Sequence, residues 1–593
     1  MPKNELKTKD RLMCDKKNSS ATLWYILTII IAIVICYYNS LHNPFIWDQE
    51  VVIVGNPMIR SWEYLPDVFK TNVEGRKLTS IAFYRPMEVI SYMFDYNFWK
   101  LNPFGYHCTS IFLHICNTIL LFLLLKKIKI TTQISFLACL IFAIHPVNTE
   151  TITYSIRGDL LGFFFSMLCF LFFLYYREGR NIFAFFSILA YLLALLSKES
   201  AVVTPFIILI YSILFNRASK TAYKNRTYLS MVLLLISFIY IFIRLVFISA
   251  STHGSLSLIN EATMLHRILT FPRILLTYIG LLIFPRNLHM EYLFVEKSLT
   301  SPYVWLGVPL LITIAYVFFR YIKSISKADV QLKKHLIFFL LWFLIGLIPF
   351  YNIVVTLHAT LTEHWVYSPC IGFIVLMVIL GFQVFHKTDS KLLKNIMILV
   401  LMTLLVYCVF YTINRNRDWS DPMRLYQHDL KYEPDSFILH NNVGVIYFRK
   451  GDLKNAKEEF LKAIQVSPDG RYDVAHNNIG VIYENEGDLI AAEKSFKTSI
   501  LLNNYELAYS NLGRLYLKLG KINDAIEVCI QGRELYPLNP EISYYLAIGY
   551  CYNRQFELAR DVFKYINKIA PGYKDTQVYI KNITEFLQKT GND

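Results

Sequence analysis

Asp48 and Glu50 stand a few residues beyond the first membrane-length apolar run, in Trp47-Asp48-Gln49-Glu50, and the polar stretch they open, 41–105, continues to Tyr84-Arg85-Pro86. Carboxylates held this close to a bilayer are costly unless they serve a reaction or pair with a cation. Cations are at hand: Arg85, Arg157, Lys198 and Arg244 fall in or beside connections between apolar runs, as do His145, Glu150, Asp159, Glu199, Arg286, Glu363 and His364. Guanidinium and ammonium groups hold phosphate, and a carboxylate beside them can take the proton of an attacking hydroxyl. The combination suits a reaction on an anionic lipid headgroup. In that reading Asp48, with Glu50, does the acid–base work, and Arg85, Lys198, Arg244 and Arg157 bind phosphate. His145, Glu150, Asp159, Glu199, Glu363 and His364 support them. Plainer readings stand beside these. Arg157, Arg286 and Lys198 are as well placed to snorkel to the interface. Lys198-Glu199 also reads as an interfacial turn opening a helix, and His114 and Asn117, one turn apart, as hydrogen bonders between helices. No metal centre is expected. His107 and His145 lack partner ligands, and Asp48 and Glu50, which could give a divalent ion two oxygens, have no obvious third.

Such a site needs a membrane frame, and the composition supplies one. Of 593 residues 55% are hydrophobic, 16% aromatic and only 17% charged. The apolar runs are confined to 22–412, while 413–593 is polar with helical periodicity. Runs of about 20 apolar residues cross a hydrocarbon core of about 30 Å. The net charge of +15 lies largely in short connections and the N-terminal tail, where it reads as an orientation signal rather than a nucleic-acid surface. The ten cysteines form neither a metal spacing nor a disulfide framework.

Orientation follows from the basic residues. The tail 1–21 stays in the cytoplasm, helix 22–38 leaves it, and the stretch 41–105 is external. Runs at 106–125, 131–146, 160–176, 182–196, 200–215 and 228–250 then alternate. The segment 264–284 contains His266, Arg267, Pro272 and Arg273, and a crossing there would put the basic connection 320–334 outside. It is therefore read as a broken, re-entrant or in-plane element. Runs at 302–320, 335–351, 366–386 and 393–412 bring the total to about eleven crossings and leave 413–593 external. The basic residues alone, with no appeal to chemistry, put the whole polar set on one external edge.

The C-terminal part is a repeat array. Gly444, Tyr447, Gly451, Ala456, Phe460, Ala463 and Pro468 have the spacing of a 34-residue tetratricopeptide unit. The pattern recurs from Gly480 and Gly513, and more weakly from Ala547, giving about four repeats with a capping helix at 574–588. Such stacks present a concave face to extended peptides or partner proteins. The fold class is thus all-α: a polytopic helical membrane domain followed by an α-solenoid.

The ordered motifs are Trp47-Asp48-Gln49-Glu50, Tyr84-Arg85-Pro86, Gly105-Tyr106-His107, Leu113-His114, His145-Pro146-Val147-Asn148-Thr149-Glu150, Arg157-Gly158-Asp159-Leu160-Leu161 and Ser197-Lys198-Glu199. Phe284-Pro285-Arg286-Asn287-Leu288, Thr362-Glu363-His364, Tyr367-Ser368-Pro369 and Arg417-Asp418-Trp419 follow. Together they resemble the transmembrane and tetratricopeptide-repeat O-mannosyltransferases and their bacterial relatives, over nearly the whole chain. The resemblance implies a GT-C glycosyltransferase fold and a polyprenyl-phosphate sugar donor, typically dolichyl-phosphate mannose in eukaryotes. It also implies a catalytic carboxylate in the first external loop, inversion at the anomeric carbon, and Ser or Thr hydroxyls of an acceptor protein as the target. Two positions depart from the pattern. Gln49 stands where the second of two Asp is usual, and His364 stands in the Glu-Arg pair near the last helices. The short array suggests a bacterial or archaeal relative, placed in the plasma membrane, or in the endoplasmic reticulum membrane of a eukaryote. The alternative is a membrane-anchored repeat scaffold without catalysis.

Overall fold

The computed structural model describes residues 21–75, 83–154, 156–176, 181–215, 220–247, 256–326 and 329–590; the basic N-terminal tail lies outside them. Contacts divide the chain into two units, with the main boundary between Leu425 and Tyr426. The last membrane helix, Lys391–Asp418, therefore runs past the expected boundary at 412.

The first unit is helical. Its elements are α1 (Ala21–Ser40), α2 (Pro86–Trp99), α3 (Pro103–Lys127), α4 (Thr132–Ile144), α5 (Thr149–Thr153), α6 (Gly158–Tyr175), α7 (Ile182–Leu195), α8 (Thr204–Phe215), α9 (Lys220–Phe247), α10 (Met264–Ile283), α11 (Gly307–Ser324), α12 (Val330–Gly346), α13 (Cys370–Lys387) and α14 (Lys391–Asp418). Among the described residues the one isolated β pairing is a bridge between Tyr292 and Leu361. Local signals set the helix ends. Asn102 accepts a hydrogen bond from the Phe104 amide with Pro103 at the first helical position, and Lys126 and Lys127 close the far end of α3. Its 25 residues span about 37 Å, enough to cross a bilayer.

Among the described residues nine helices are long and apolar enough to cross a membrane. A bent pair, Thr132–Ile144 with Pro146–Thr153, would make a tenth, and Ile182–Leu195 and Glu199–Phe215 are shorter apolar helices. The eleven crossings expected from the sequence are this set without Met264–Ile283. That segment is not broken, as the sequence allowed. It is one continuous helix that carries Pro272 inside it. Its contacts nonetheless lie at one end of the bundle: Phe271 on Tyr351, the Tyr278 hydroxyl on the Thr362 carbonyl, and the Leu282 carbonyl on His145. By length and composition it is one of the nine candidate spans.

The two ends are distinct. At one, the connections around Asp48, Arg85, Glu150, Lys198 and His364 meet. At the other, His335 bonds the Ile128 carbonyl, Phe215 packs on His335, and Arg226 donates to the Leu174 and Tyr176 carbonyls. Between them, His114 Nε2 donates to the Ala143 carbonyl, and its Nδ1 faces the Tyr367 hydroxyl at 2.8 Å. Asn117 donates to the Tyr367 hydroxyl and to the Leu160 carbonyl. His114 and Asn117 thus tie α3 to α4 and α6 and to the start of α13, as interhelical hydrogen bonders do.

The second unit consists of helix pairs: α15 and α16 (Phe437–Arg449, Leu453–Val466), α17 and α18 (Asp473–Glu486, Leu489–Asn503), α19 and α20 (Glu506–Lys518, Ile522–Leu535), α21 and α22 (Pro540–Tyr552, Phe556–Ile569), then α23 (Thr576–Thr590). The repeat signature has a steric cause. A Cβ on Gly444 would stand 2.6 Å from the Phe460 ring, and one on Gly480 2.7 Å from the Phe496 ring. The small residue of the first helix is the seat for the aromatic of the second.

Candidate active site

Asp48 sits on a loop that its own backbone does not favour. Trp47 before it has φ 59, a left-handed conformation that for a bulky side chain costs on the order of 1–3 kcal/mol. The surroundings hold it there. Gln49 accepts from the Ile46 amide and donates to the Tyr154 carbonyl, and the Asp48 amide donates to the Tyr154 hydroxyl at 3.0 Å. Tyr154 is itself fixed against Trp419, ring centroids 5.2 Å apart. Gln49 is 1% exposed, so the residue that departs from the Asp-Asp pattern is a loop clamp and not a second base.

The Asp48 side chain is open to solvent by area, yet protein surrounds it closely enough to raise its pKa to about 6. Burial is the main cause of the rise and the Glu74 charge the next, opposed by Tyr154, His364 and Arg85. Glu50, expected to assist, is half-buried in the first turn of a π-helical segment, Glu50–Val54. The second carboxylate acting on Asp48 is Glu74 instead.

The cations gather as the sequence implied, with their charges already balanced. Pro86 opens α2, and the Met87 amide bonds the Leu196 carbonyl at 3.2 Å, which brings Arg85 to the end of α7. There Arg85 donates Nε and Nη2 to the two oxygens of Glu199, at 2.9 and 3.1 Å, a bidentate pair. Arg244 donates to Glu199 at 3.1 Å and to the Tyr240 hydroxyl at 3.0 Å. Lys198 bonds Asp159 at 2.8 Å. Glu88 lies 3.6 Å from Arg85 and accepts from the Tyr92 hydroxyl. Burial disfavours charge on Arg85, but Glu199 and Glu88 outweigh it and raise the guanidinium pKa. Arg244 is the arginine of this group most open to solvent, its side chain 25% exposed against 9% for Arg85.

Two glycines make this packing possible. A Cβ on Gly162 would lie 2.9 Å from the Lys198 Cβ, and one on Gly158 3.0 Å from Glu88 Oε2. The bare face of α6 is where the Lys198 stem lies. Asp159, Gly162, Lys198, Thr204, Phe350 and Trp365 line a narrow recess there.

His364 is held by Glu150, which accepts from its amide and from Nδ1, each at 2.9 Å. His364, Lys198, Arg85 and Glu199 all act on His358, whose pKa is pushed down to about 3, mainly by burial, so it is neutral in working conditions. Asp48, Arg85, Lys198, Glu199, His358 and His364 therefore share one electrostatic neighbourhood, with Glu150, Asp159 and Arg244 bonded into it.

Three expected members stand apart. Arg157 is not bonded into the group around Glu199 and Asp159. It is fully buried, ion-paired with Asp95, donates to the Tyr106 carbonyl at 2.9 Å, and lies over the Tyr92 and Tyr106 rings. His145 Nδ1 accepts from the Val147 amide, so Nε2 carries the hydrogen and donates to the Leu282 carbonyl. Both nitrogens are engaged, and the residue is a helix-end cap. Glu363 is buried and accepts from the Tyr292 hydroxyl at 3.0 Å, a tyrosine on which Arg415 and Glu150 also act. Among the described residues no group of three or more His, Cys, Asp or Glu side chains could hold a metal ion.

Comparison with known proteins agrees with both units. Residues 439–469, 474–505 and 507–537 match the family Tetratricopeptide repeat. The Caenorhabditis elegans Protein O-mannosyl-transferase F38B6.6 is 26% identical over 469 residues, 76% of this chain and 64% of that protein. The Mus musculus Protein O-mannosyl-transferase TMTC3 is 24% identical over 75% of this chain and 51% of its own length. Drosophila melanogaster Tmtc3, of the same name, is 23% identical over 88% and 60%. The chain thus spans between about half and two-thirds of the curated relatives it matches. Among solved structures, one of Pseudomonas aeruginosa pilF covers 28% of this chain and 75% of that one, at 18% identity and TM-score 0.26. One of MamA covers 26% and 91%, at 22% identity and TM-score 0.23.

Proposed function

The chain resembles the transmembrane, tetratricopeptide-repeat O-mannosyltransferases over most of its length, and from that premise we propose that it is a GT-C membrane glycosyltransferase. It would move a sugar, mannose by the names of its relatives, from a polyprenyl-phosphate donor to Ser or Thr hydroxyls of an acceptor protein. The observation that carries the reading is Asp48 itself: an accessible carboxylate with a pKa of about 6, fixed on a strained loop beside a balanced cation cluster. A scaffold has no use for that arrangement.

In the proposed step the acceptor oxygen attacks C1 of the sugar and its proton passes to Asp48. The O–C1 bond forms as the bond from C1 to the phosphate oxygen breaks, with inversion, and the polyprenyl phosphate leaves with the electron pair. Arg244 is the first candidate to meet that phosphate. Among the described residues it gives two of its five N–H groups to Tyr240 and Glu199. Arg85 and Lys198, deeper and already paired, supply field rather than direct contact. In a water-poor site one such donor is worth about 3 kcal/mol in the transition state. The site would lie on the external face, and the animal relatives favour the endoplasmic reticulum membrane over a prokaryotic plasma membrane.

The test is transfer of radiolabelled mannose from polyprenyl-phosphate mannose to protein in membranes containing this chain. Label reaching protein is expected. Its absence with verified donors of several sugars would leave the scaffold alternative.

Two further outcomes follow from the geometry. A base must be deprotonated to act, so transfer is expected to rise with pH through about 6, where Asp48 titrates. Glu74 raises that pKa by like charge. Glu74→Gln should therefore move the rising limb to lower pH, and an unmoved limb would detach it from Asp48. Gly162→Ala should displace Lys198 from Asp159. A shift of this kind near the reacting groups can cost roughly 10- to 100-fold in rate. Labelled transfer per amount of membrane-inserted protein checks it.

A further inference from the structure

α14 follows α13 across the short turn 388–390, yet a cavity of about 440 Å³ lies between the two helices. Ile374, Val378, Gly381 and Phe385 on α13, and Met397 and Leu401 on α14, recur at three- and four-residue spacing, so each helix turns one face to the cavity. α4 and the end of α10 complete the wall, and all the lining residues are apolar. Gly381 deepens it, since a Cβ there would meet nothing within 4 Å. From Phe373 to Phe385 the lined face measures about 18 Å, slightly more than one leaflet of a hydrocarbon core of about 30 Å.

The two ends of the cavity differ. Beyond Ile283 and Leu404, toward the candidate active site, Phe284 stacks on Tyr407 with ring centroids 5.1 Å apart, and the Tyr407 hydroxyl donates to the Pro285 carbonyl at 2.6 Å. The walls are clasped there, and Arg286 lies over the Phe284 ring at 5.9 Å. At the opposite end Lys394 Nζ stands 5.5 Å from the centroid of the Phe385 ring. Lys387 and Lys391 flank the same turn, and Asp389 is the one acidic residue in 386–394. This is the end that the basic connections assign to the cytoplasm.

We propose that the cavity holds an acyl chain of an anionic glycerophospholipid from the leaflet remote from the active site, its headgroup met by Lys394 with Lys387 and Lys391. Shape, polarity and charge select this occupant. A cavity of several hundred Å³ is the size that small ligands take. A helix about 10 Å across fills roughly 1,400 Å³ over the same 18 Å, so a partner's membrane helix does not fit. An apolar wall offers no hydrogen bond, so what enters it is hydrocarbon. Three lysines at one end favour a negative headgroup over a zwitterionic one. The sugar donor is a poorer match. In the proposed reaction its phosphate belongs beside Arg244 and Lys198, and the recess at Lys198, walled by residues of α6, α8 and α12, shares no lining residue with this cavity. The inference rests on the transferase reading only in placing the donor elsewhere. A chain in the cavity braces α13, which begins directly after Tyr367-Ser368-Pro369 on the recess wall.

The test is native mass spectrometry of the full chain released from nanodiscs of phosphatidylcholine and phosphatidylserine in equal parts, with no sugar donor present. Wild type should retain phosphatidylserine at least tenfold over phosphatidylcholine. Gly381→Phe puts a ring into the cavity where there is room for it, and should abolish retention with the protein inserted and helical. Lys387→Gln, Lys391→Gln and Lys394→Gln together should keep a retained lipid and lose the preference for serine. Arg320→Gln with Lys323→Gln, on α11, which does not line the cavity, should change neither. Equal retention of the two lipids by wild type, or retention that survives Gly381→Phe, would overturn the proposal. So would a preference that falls as far with the α11 pair, which would leave general surface charge as its cause. Polyprenyl phosphate added to the discs should not displace phosphatidylserine, and displacement would give the cavity to the donor's tail instead. Because retention is measured without a donor, failure of the sugar-transfer assay counts against the transferase and not against this site, and loss of retention with transfer intact does the reverse.

Discussion

Asp48→Asn is expected to reduce sugar transfer by at least two orders of magnitude while leaving the protein folded in the membrane. The substitution keeps the shape of the side chain and removes the proton acceptor, whose contribution in general-base catalysis is about 10²- to 10⁴-fold. It should not disturb the loop. Residue 48 meets the Tyr154 hydroxyl through its backbone amide and also through its side chain, where an amide oxygen can still accept, and the Gln49 clamp is independent of residue 48. Asp48→Glu should do little better, since an added methylene moves the carboxylate on a loop that Trp47 and Tyr154 hold fixed. The measurement is labelled mannose entering protein per amount of inserted enzyme. Wild-type transfer by Asp48→Asn would move the base to another carboxylate, Glu74 by its action on Asp48 or Glu50 by its place in the motif.

What could be read from the sequence divides along physical lines. The repeat array is written in its spacing, because each repeat packs a small residue against an aromatic at fixed intervals, as Gly444 does on Phe460. Lysines and arginines in the connections predict one edge for the polar set, and the fold brings Asp48, Arg85, Lys198, Glu150 and His364 together. Partnership is not local. Arg157 and Lys198 look alike as cations near helix ends, and only the fold separates them. Arg157 meets Asp95 on α2, 62 positions away, whereas Lys198 meets Asp159 at the edge of the recess. Glu74, Glu88 and Tyr154 carry no motif, and their roles come from neighbours distant in sequence. Glu363-His364 read as one pair, but adjacent residues on a helical turn do not face the same way, and the two take different partners, the Tyr292 hydroxyl and the Glu150 carboxylate. Pro272 suggested a break in 264–284. The helix continues through it, so a proline marks a weakened hydrogen-bond ladder and not necessarily its end.

Asp95→Ala should be among the most damaging single substitutions in the membrane unit, and the reason decides what Arg157 does. The Arg157 side chain is 0% exposed and its pairing carboxylate 6%. Removing one partner of a buried pair leaves an uncompensated charge, at a cost of about 3–5 kcal/mol. Thermal half-life in detergent should fall steeply for Asp95→Ala and equally for Arg157→Ala. Replacing both, as Asp95→Leu with Arg157→Met, removes the charges together, and buried pairs exchanged for apolar residues are often neutral in stability. The double variant should recover most of the loss, short of what Arg157 contributes through the Tyr106 carbonyl and the Ser91 hydroxyl. The same protein then separates the two roles written in the sequence. If Arg157 is a structural brace for the start of α6, the double variant keeps the wild-type KM for the polyprenyl-phosphate donor within about twofold. If it is a phosphate ligand after all, the double variant folds and the donor KM rises by the tenfold or more that a charge-assisted hydrogen bond of about 1.5–3 kcal/mol commands.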